Sequence, residues 1–260
     1  MPSPLLAGAL AATLIVLLGC DGNLTIATGG TSASATTGPH AIWQVGVQAP
    51  PADAHATALR VRMQTHLPQK VASSTTNYFW IGSYLSDGSF IQIGYYVPWY
   101  QSDQAGWFYC AFADPQSSGD CHDAALGTVD GGDSWHSYGL EAAVDASGTP
   151  GWVATFDDQR IGTIAWPAQD TGSHAPTIFA ESSGNDPRST PGGDLGPVDF
   201  SQFAVQLSGR RDEQTITVGL PSYNAANVCP PFGIRADGHG GVMLGSGLDC
   251  PAALDVVSWG

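Results

Sequence analysis

The chain has 260 residues, 43% of them hydrophobic and only 12% charged, enough apolar mass to bury a sizeable core in a single all-β domain. The formal net charge of -15, with Lys70 the sole lysine, argues against a nucleic-acid backbone as partner, because phosphate binding needs clustered Lys and Arg. The same balance favours solubility, in an ordinary acidic exported protein or in an acidic medium where carboxylates are neutral.

Residues 5–18 are apolar and helix-compatible, too short for a comfortable membrane span and of the length of a signal-peptide core. They run into Leu17-Leu18-Gly19-Cys20, which resembles the lipobox of bacterial lipoproteins, where the signal is cut before a cysteine that then carries lipid. The resemblance implies a signal peptide over 1–19, lipidation of Cys20 and an anchor that holds the protein to a membrane without spanning it. A plain secretory signal is the competing reading; either way the chain is expected to be exported, to the cell envelope or beyond. Residues 20–39, rich in Gly, Ser, Thr and Ala, are expected to form a flexible tether.

From His40 onward strand signals recur at short spacing without a helical period, at 42–48, 59–65, 107–112, 135–144, 152–156, 161–166, 177–181, 198–207 and 214–220, around a central hairpin. About ten strands separated by Gly, Pro, Asp and Ser predict a two-sheet antiparallel jelly-roll sandwich over 40–210. Residues 211–260 add a strand and an irregular Gly- and Pro-rich extension packed on the same domain, and a monomer is expected. The hairpin is two alternating aromatic-rich runs, 78–85 and 90–97, joined by Ser86-Asp87-Gly88-Ser89, whose Asp and Gly tolerate the positive φ of a tight turn. Alternation puts Phe79, Ile81, Leu85, Ile91, Ile93, Tyr95 and Val97 on one face and Tyr78, Trp80, Tyr84, Phe90, Gln92 and Tyr96 on the other.

With Cys20 assigned to lipid, Cys110, Cys121, Cys229 and Cys250 remain, an even number that reads as two disulfides in an exported chain. Three pairings are possible; Cys110 with Cys121 and Cys229 with Cys250 each close a nearby loop. No Cys-x-x-Cys pair supports a metal site, and no cofactor is expected. Calcium is the one ion suggested, weakly, by acidic turns at Asp120, Asp123, Asp130 and Asp133 and at Asn185, Asp186 and Asp194, although solvated turn carboxylates read the same way. The nucleophile elbow, His-Glu-x-x-His and Walker signatures are missing, and the seven histidines show no ligand spacing.

The aromatic face is the strongest functional signal. Trp107 and Tyr109 are expected to extend the row of Tyr78, Trp80, Tyr84 and Tyr96, giving flat rings that stack on sugars, with the Gln92 amide pairing with hydroxyls. The competing reading is that these rings are core.

Asp133-Ser134-Trp135-His136-Ser137-Tyr138, followed by Trp152-Val153-Ala154-Thr155-Phe156-Asp157-Asp158-Gln159-Arg160-Ile161-Gly162, resembles the concanavalin A-like lectin and glucanase domains, laminin-G-like ones among them, with Asp158 where a glycine is common. The resemblance implies a jelly roll whose curved sheet forms a groove, used by lectins, glycosidases and some peptidases. Glucanases of this fold carry Glu-x-Asp-x-x-Glu, whereas this chain has only Glu141, Glu181 and Glu213, none in that pattern. The glutamic peptidases are more similar: Trp80-Ile81-Gly82, Gln92-Ile93-Gly94 and Gly196-Pro197-Val198-Asp199-Phe200 match their motif order. That likeness implies a Gln amide steadying an oxyanion and a Glu activating water, here Gln92 and Glu181, although counting back from Val198 sets Thr177 at the catalytic glutamate. The sequence thus favours a non-catalytic lectin-like domain binding a glycan or surface polymer through Tyr78, Trp80, Tyr84, Gln92, Tyr96, Trp107 and Tyr109. An acid-acting peptidase using Gln92 and Glu181 is the alternative, and an adhesion domain without a small ligand the third reading.

Overall fold

A computed structural model describes residues 41–48, 55–67, 76–98, 104–113, 119–124, 129, 134–174, 176–184, 197–209, 213–215, 232–237, 239–246 and 248. Residues 1–40, Cys229 and Cys250 lie outside these, and with them the signal sequence, the lipidation site, the tether and the second disulfide. The described elements are all strands: β1 (Ala41–Gln48), β2 (Ala56–Gln64), β3 (Thr76–Tyr84), β4 (Phe90–Pro98), β5 (Gly106–Phe112), β6 (Asp120–Asp123), β7 (Trp135–Val144), β8 (Pro150–Phe156), β9 (Gln159–Ala165), β10 (Thr177–Gly184), β11 (Val198–Leu207), β12 (Glu213–Thr215), β13 (Phe232–Ala236) and β14 (Val242–Ser246).

They form two antiparallel sheets packed as a jelly-roll sandwich. One has six strands in the order β1-β10-β3-β4-β5-β6; the other runs β13-β14-β11-β2-β7-β8-β9, with β12 beside β11. Between them lies the main core, where Phe79, Ile81, Ile91, Ile93 and Tyr95 of the first sheet meet Leu59, Met63, Tyr138, Leu140, Trp152 and Phe200 of the second. Each such side chain contributes about 1.5–3 kcal/mol by leaving water. The polar tips inside are mostly paired: Trp152 Nε1 donates to Ala168 O at 2.7 Å, and Tyr95 Oη accepts from His66 N at 3.0 Å and donates to Gln64 O at 3.1 Å.

The central hairpin forms as its alternation predicts. Asp87 Oδ1 accepts from Ser89 N at 3.0 Å and Gly88 takes φ 85°, so Asp caps the turn and Gly supplies its left-handed residue. Cys110 and Cys121 face each other across the β5–β6 ladder and form a disulfide, with 4.1 Å between their Cα atoms. The C-terminal extension is more regular than expected: residues 232–246 include the β13–β14 hairpin, which joins the second sheet through β14 and β11.

Gly94 allows the closest approach within this ladder. It pairs with Trp80, and a Cβ there would run into the Phe79 carbonyl and lie 2.7 Å from Trp80 Cα. Gly94→Ala is expected to lower stability by roughly 1–3 kcal/mol. Urea denaturation checks this, and an unmoved midpoint would show that the ladder relaxes freely.

Candidate functional site

The outer face of the six-stranded sheet is built in rows by the strand register. Thr177 of β10, Gly82 of β3, Gln92 of β4 and Cys110 of β5 are successive partners in one row; Phe179, Trp80, Gly94 and Phe108 make the next; Glu181, Tyr78, Tyr96 and Gly106 make the third. Parity therefore sets Thr177, Phe179 and Glu181 on the face that carries Trp80 and Gln92, while Ile178 and Ala180 enter the main core.

This face is largely closed. Trp80, Phe90, Phe108, Cys110, Phe112 and Phe179 form a second buried apolar cluster, with Tyr78, Tyr84 and Tyr96 half-buried around it. The rings use their faces and edges on one another. Trp80 stacks on Phe179 at 4.7 Å, Phe90 meets Trp80 edge-on at 5.7 Å, and Tyr78 meets Phe108 edge-on at 5.7 Å. Glycines seat them: the Phe90 ring tip lies 2.9 Å from where a Gly82 Cβ would be, and Tyr96 lies equally close over Gly106.

Trp107 and Tyr109 are not on this face, which corrects the expected row. β5 pairs Tyr95 with Trp107 and Ile93 with Tyr109, so both point with the main core, and Phe108, Cys110 and Phe112 take the outer positions. Tyr109 stacks on His122 at 4.9 Å, and its hydroxyl occupies the space beside Gly162 of the opposite sheet. Trp80 is also unavailable for stacking on a ligand, at 3% exposure. Alternation gave the two faces of β5 but not which face is which, because a one-residue slip across the β4–β5 connection exchanges them.

Two polar groups sit in the apolar cluster. Glu181 is 6% exposed, and its Oε2 accepts from Trp80 Nε1 at 3.1 Å. Burial pushes its carboxyl up to about 7, the Trp80 hydrogen bond opposing. Gln92 is 5% exposed, and its amide is not among the buried side-chain atoms that lack a partner, which are Thr65 Oγ1, Tyr138 Oη and Asp199 Oδ1 among the described residues. The two do not share a row. Glu181 lies four residues along β10 from Thr177, and β10 is two strands from β4, so the backbones are about 16 Å apart at ordinary strand spacings. The residue in line with Gln92 is Thr177, whose hydroxyl donates to Gly82 O at 3.3 Å. A buried carboxyl near neutrality can exchange protons; its partner in the register of β1 is Gln44, while Gln92 lies two strands away.

No three His, Cys, Asp or Glu side chains come together as a metal site among the described residues. Asp120 and Asp123 lie on the exposed β6, and Asp120 pairs with His122 at 3.2 Å; Asp130, Asp133, Asn185, Asp186 and Asp194 lie outside the described residues.

No family model and no curated protein matches the chain. Among solved structures, scytalido-glutamic peptidase with a transition state analog inhibitor matches over 78% of this chain and 97% of that one, at 11% identity and a TM-score of 0.50. SCP-B, a member of the Eqolisin family of peptidases, matches over the same shares at 12% identity and a TM-score of 0.43. The Crh5 transglycosylase in complex with NAG matches over 73% and 81%, at 13% identity and a TM-score of 0.38. The first of these shows the fold alone: the chain shares the two-sheet jelly-roll sandwich of that peptidase.

Because Glu181 holds its proton more tightly folded than unfolded, its contribution to stability is complete below about pH 4.5 and is lost as pH rises through about 7. The loss is on the order of 3 kcal/mol. Asp199, pushed up to about 6 by burial and then by the Asp237 carboxylate, acts in the same direction. Urea midpoints are therefore expected to fall from pH 4.5 to pH 8, and less steeply in Glu181→Gln; parallel profiles would exclude Glu181 as a source.

Proposed function

We propose that the chain is an exported, lipid-anchored domain that binds a glycan or surface polymer on the outer face of its six-stranded sheet without cleaving it. The observation that carries this is Gln92, an amide set by the register beside Gly82 and Cys110 within a cluster of rings. An amide beside ring faces suits a sugar, whose hydroxyls pair with the amide and whose apolar face packs on the rings. The half-buried Tyr78, Tyr84 and Tyr96 supply the remaining ring surface, a smaller set than the sequence suggested. Thr177 in the row of Gln92, where a carboxylate would be needed, supports binding over catalysis. The anchor at Cys20 and the tether would hold this domain away from a bilayer.

Screening the full chain on a glycan array and repeating it with Gln92→Ala and with Tyr78→Ala/Tyr96→Ala tests the reading. Each variant is expected to weaken the best ligand by about tenfold, the value of one lost hydrogen bond or ring contact. Wild-type binding that both variants retain would place the ligand elsewhere.

A second reading is favoured by one observation, the Glu181 carboxyl raised by burial and held by Trp80: an acid-acting hydrolase in which Glu181 handles the proton. It predicts peptide cleavage at low pH that Glu181→Gln abolishes. Cleavage surviving that change removes Glu181 from the reaction.

A further inference from the structure

A second group of chemistry-bearing side chains meets in the other sheet, where the β8–β9 hairpin folds back on β7. Ser134 Oγ lies 3.0 Å from His136 Nε2, and His136 Nδ1 lies 2.7 Å from Asp157 Oδ2. A carboxylate only accepts, so the neutral imidazole carries its proton on Nδ1 and donates it to Asp157. Nε2 then presents its lone pair to the Ser134 hydroxyl. Hydroxyl, base and orienting carboxylate stand in the order that activates a serine, which is recognised by geometry and not by fold or chain order.

The surroundings hold this order in place. His136 is buried and stacks on Phe156 at 4.9 Å and 24°. The other carboxylate oxygen of Asp157 accepts from Ser137 N at 2.9 Å, so the carboxylate cannot swing away. Asp157 and Asp158 form the two-residue turn between Phe156 and Gln159 with φ 49° and 61°, a left-handed pair that Asn-Gly fills without strain. Aspartate there is less at ease than glycine, and the first of the two sets the His136 ring. Backbone strain kept at a residue that fixes a histidine is the kind of outlier from which function is inferred. Ser134 precedes β7 and is only half-buried. Across from it, Thr65 N donates to Ser134 O at 2.7 Å.

We propose that Ser134 is an acyl-accepting nucleophile, with His136 as its general base and Asp157 as the positioning carboxylate, acting on carboxylic esters of small acyl groups. Ser134 Oγ bonds to the ester carbonyl carbon as its proton passes to His136 Nε2. The carbon–oxygen bond to the leaving group then breaks, and the alkoxide takes that proton and departs as an alcohol. Water repeats the sequence on the acyl-serine, its proton passing through Nε2 back to Ser134 Oγ, and releases the carboxylic acid. Ester and water thus become acid and alcohol with no other reactant. This site shares no residue with the ring cluster of the six-stranded sheet and stands whether or not a glycan binds there.

The test is to incubate the full chain with a fluorophosphonate, map the adduct by mass spectrometry, and follow p-nitrophenyl acetate hydrolysis in parallel. A single adduct on Ser134 is expected, and absent from Ser134→Ala. Asp157→Asn keeps an acceptor for Ser137 N but no longer fixes the tautomer; it and His136→Gln are expected to slow labelling by about 10²–10⁴-fold. Should His136→Gln not fold, Asp157→Asn decides the matter. A folded wild-type chain without a Ser134 adduct overturns the proposal, as does labelling at an unchanged rate in Asp157→Asn; the three side chains would then be a latch for the hairpin.

Discussion

The six-stranded sheet is apolar on both faces across its middle, and most of what is distinctive here follows from that. Phe79, Ile81, Ile91 and Ile93 fill the space between the sheets, while Trp80, Phe90, Phe108, Phe112 and Phe179 fill a second cluster on the other side. A half-exposed antiparallel sheet can place a polar residue at every second position without cost. A sheet buried twice cannot, so each polar group it carries is either paired or held at a penalty. Glu181 and Gln92 are the two such groups set among the outer rings, and they meet the constraint differently. Glu181 accepts a hydrogen bond from the Trp80 indole N–H while burial favours its neutral form; Gln92 is an uncharged amide in the row of Gly82 and Cys110.

Charge placement sharpens the point. None of the six strands of this sheet contains Lys or Arg, whereas the second sheet carries Arg60, Arg62, Arg160 and Arg235. Were a guanidinium beside Glu181, its attraction would offset desolvation and the carboxyl would ionise at ordinary values. Without one, burial dominates and the neutral acid is the form the fold tolerates. The Trp80 N–H alone is a weak counterweight, and it is aimed by stacking on Phe179, so the carboxyl's environment depends on ring packing and not on ion pairing.

Much of this was legible in the sequence, and the failures have identifiable causes. The β3–β4 hairpin and its two faces follow from a period of two and an Asp-Gly turn, both local signals. The inversion of Trp107 and Tyr109 arose where local signals end: alternation is as clear in β5 as in β4, but the phase between them is set across a connection that pattern does not constrain. β6 escaped notice because all four of its residues are exposed, and Asp-Cys-His-Asp has no apolar alternation to detect. The β13–β14 hairpin was hidden by the glycines that let its strands approach and turn. The separation of Glu181 from Gln92 was partly visible, since counting back from Val198 already set Thr177 at the position that the register brings into line with Gln92.

The Ser134, His136 and Asp157 contact shows a different limit. All three residues stood inside the stretch that resembles the jelly-roll motif, and the second aspartate of the turn was already visible as a departure from glycine. What sequence alone did not supply was the register that brings Phe156 opposite Tyr138 on β7, and with it the next residue, Asp157, beside His136. Once that register is known, the choice of residues in the turn acquires a cause. A hairpin needing only to reverse direction would take Asn-Gly; one that must also deliver a carboxylate to a buried imidazole needs Asp in the first position and accepts the strain. The imidazole in turn cannot stay buried without partners for both nitrogens, and a serine two residues before it, just ahead of β7, satisfies the second.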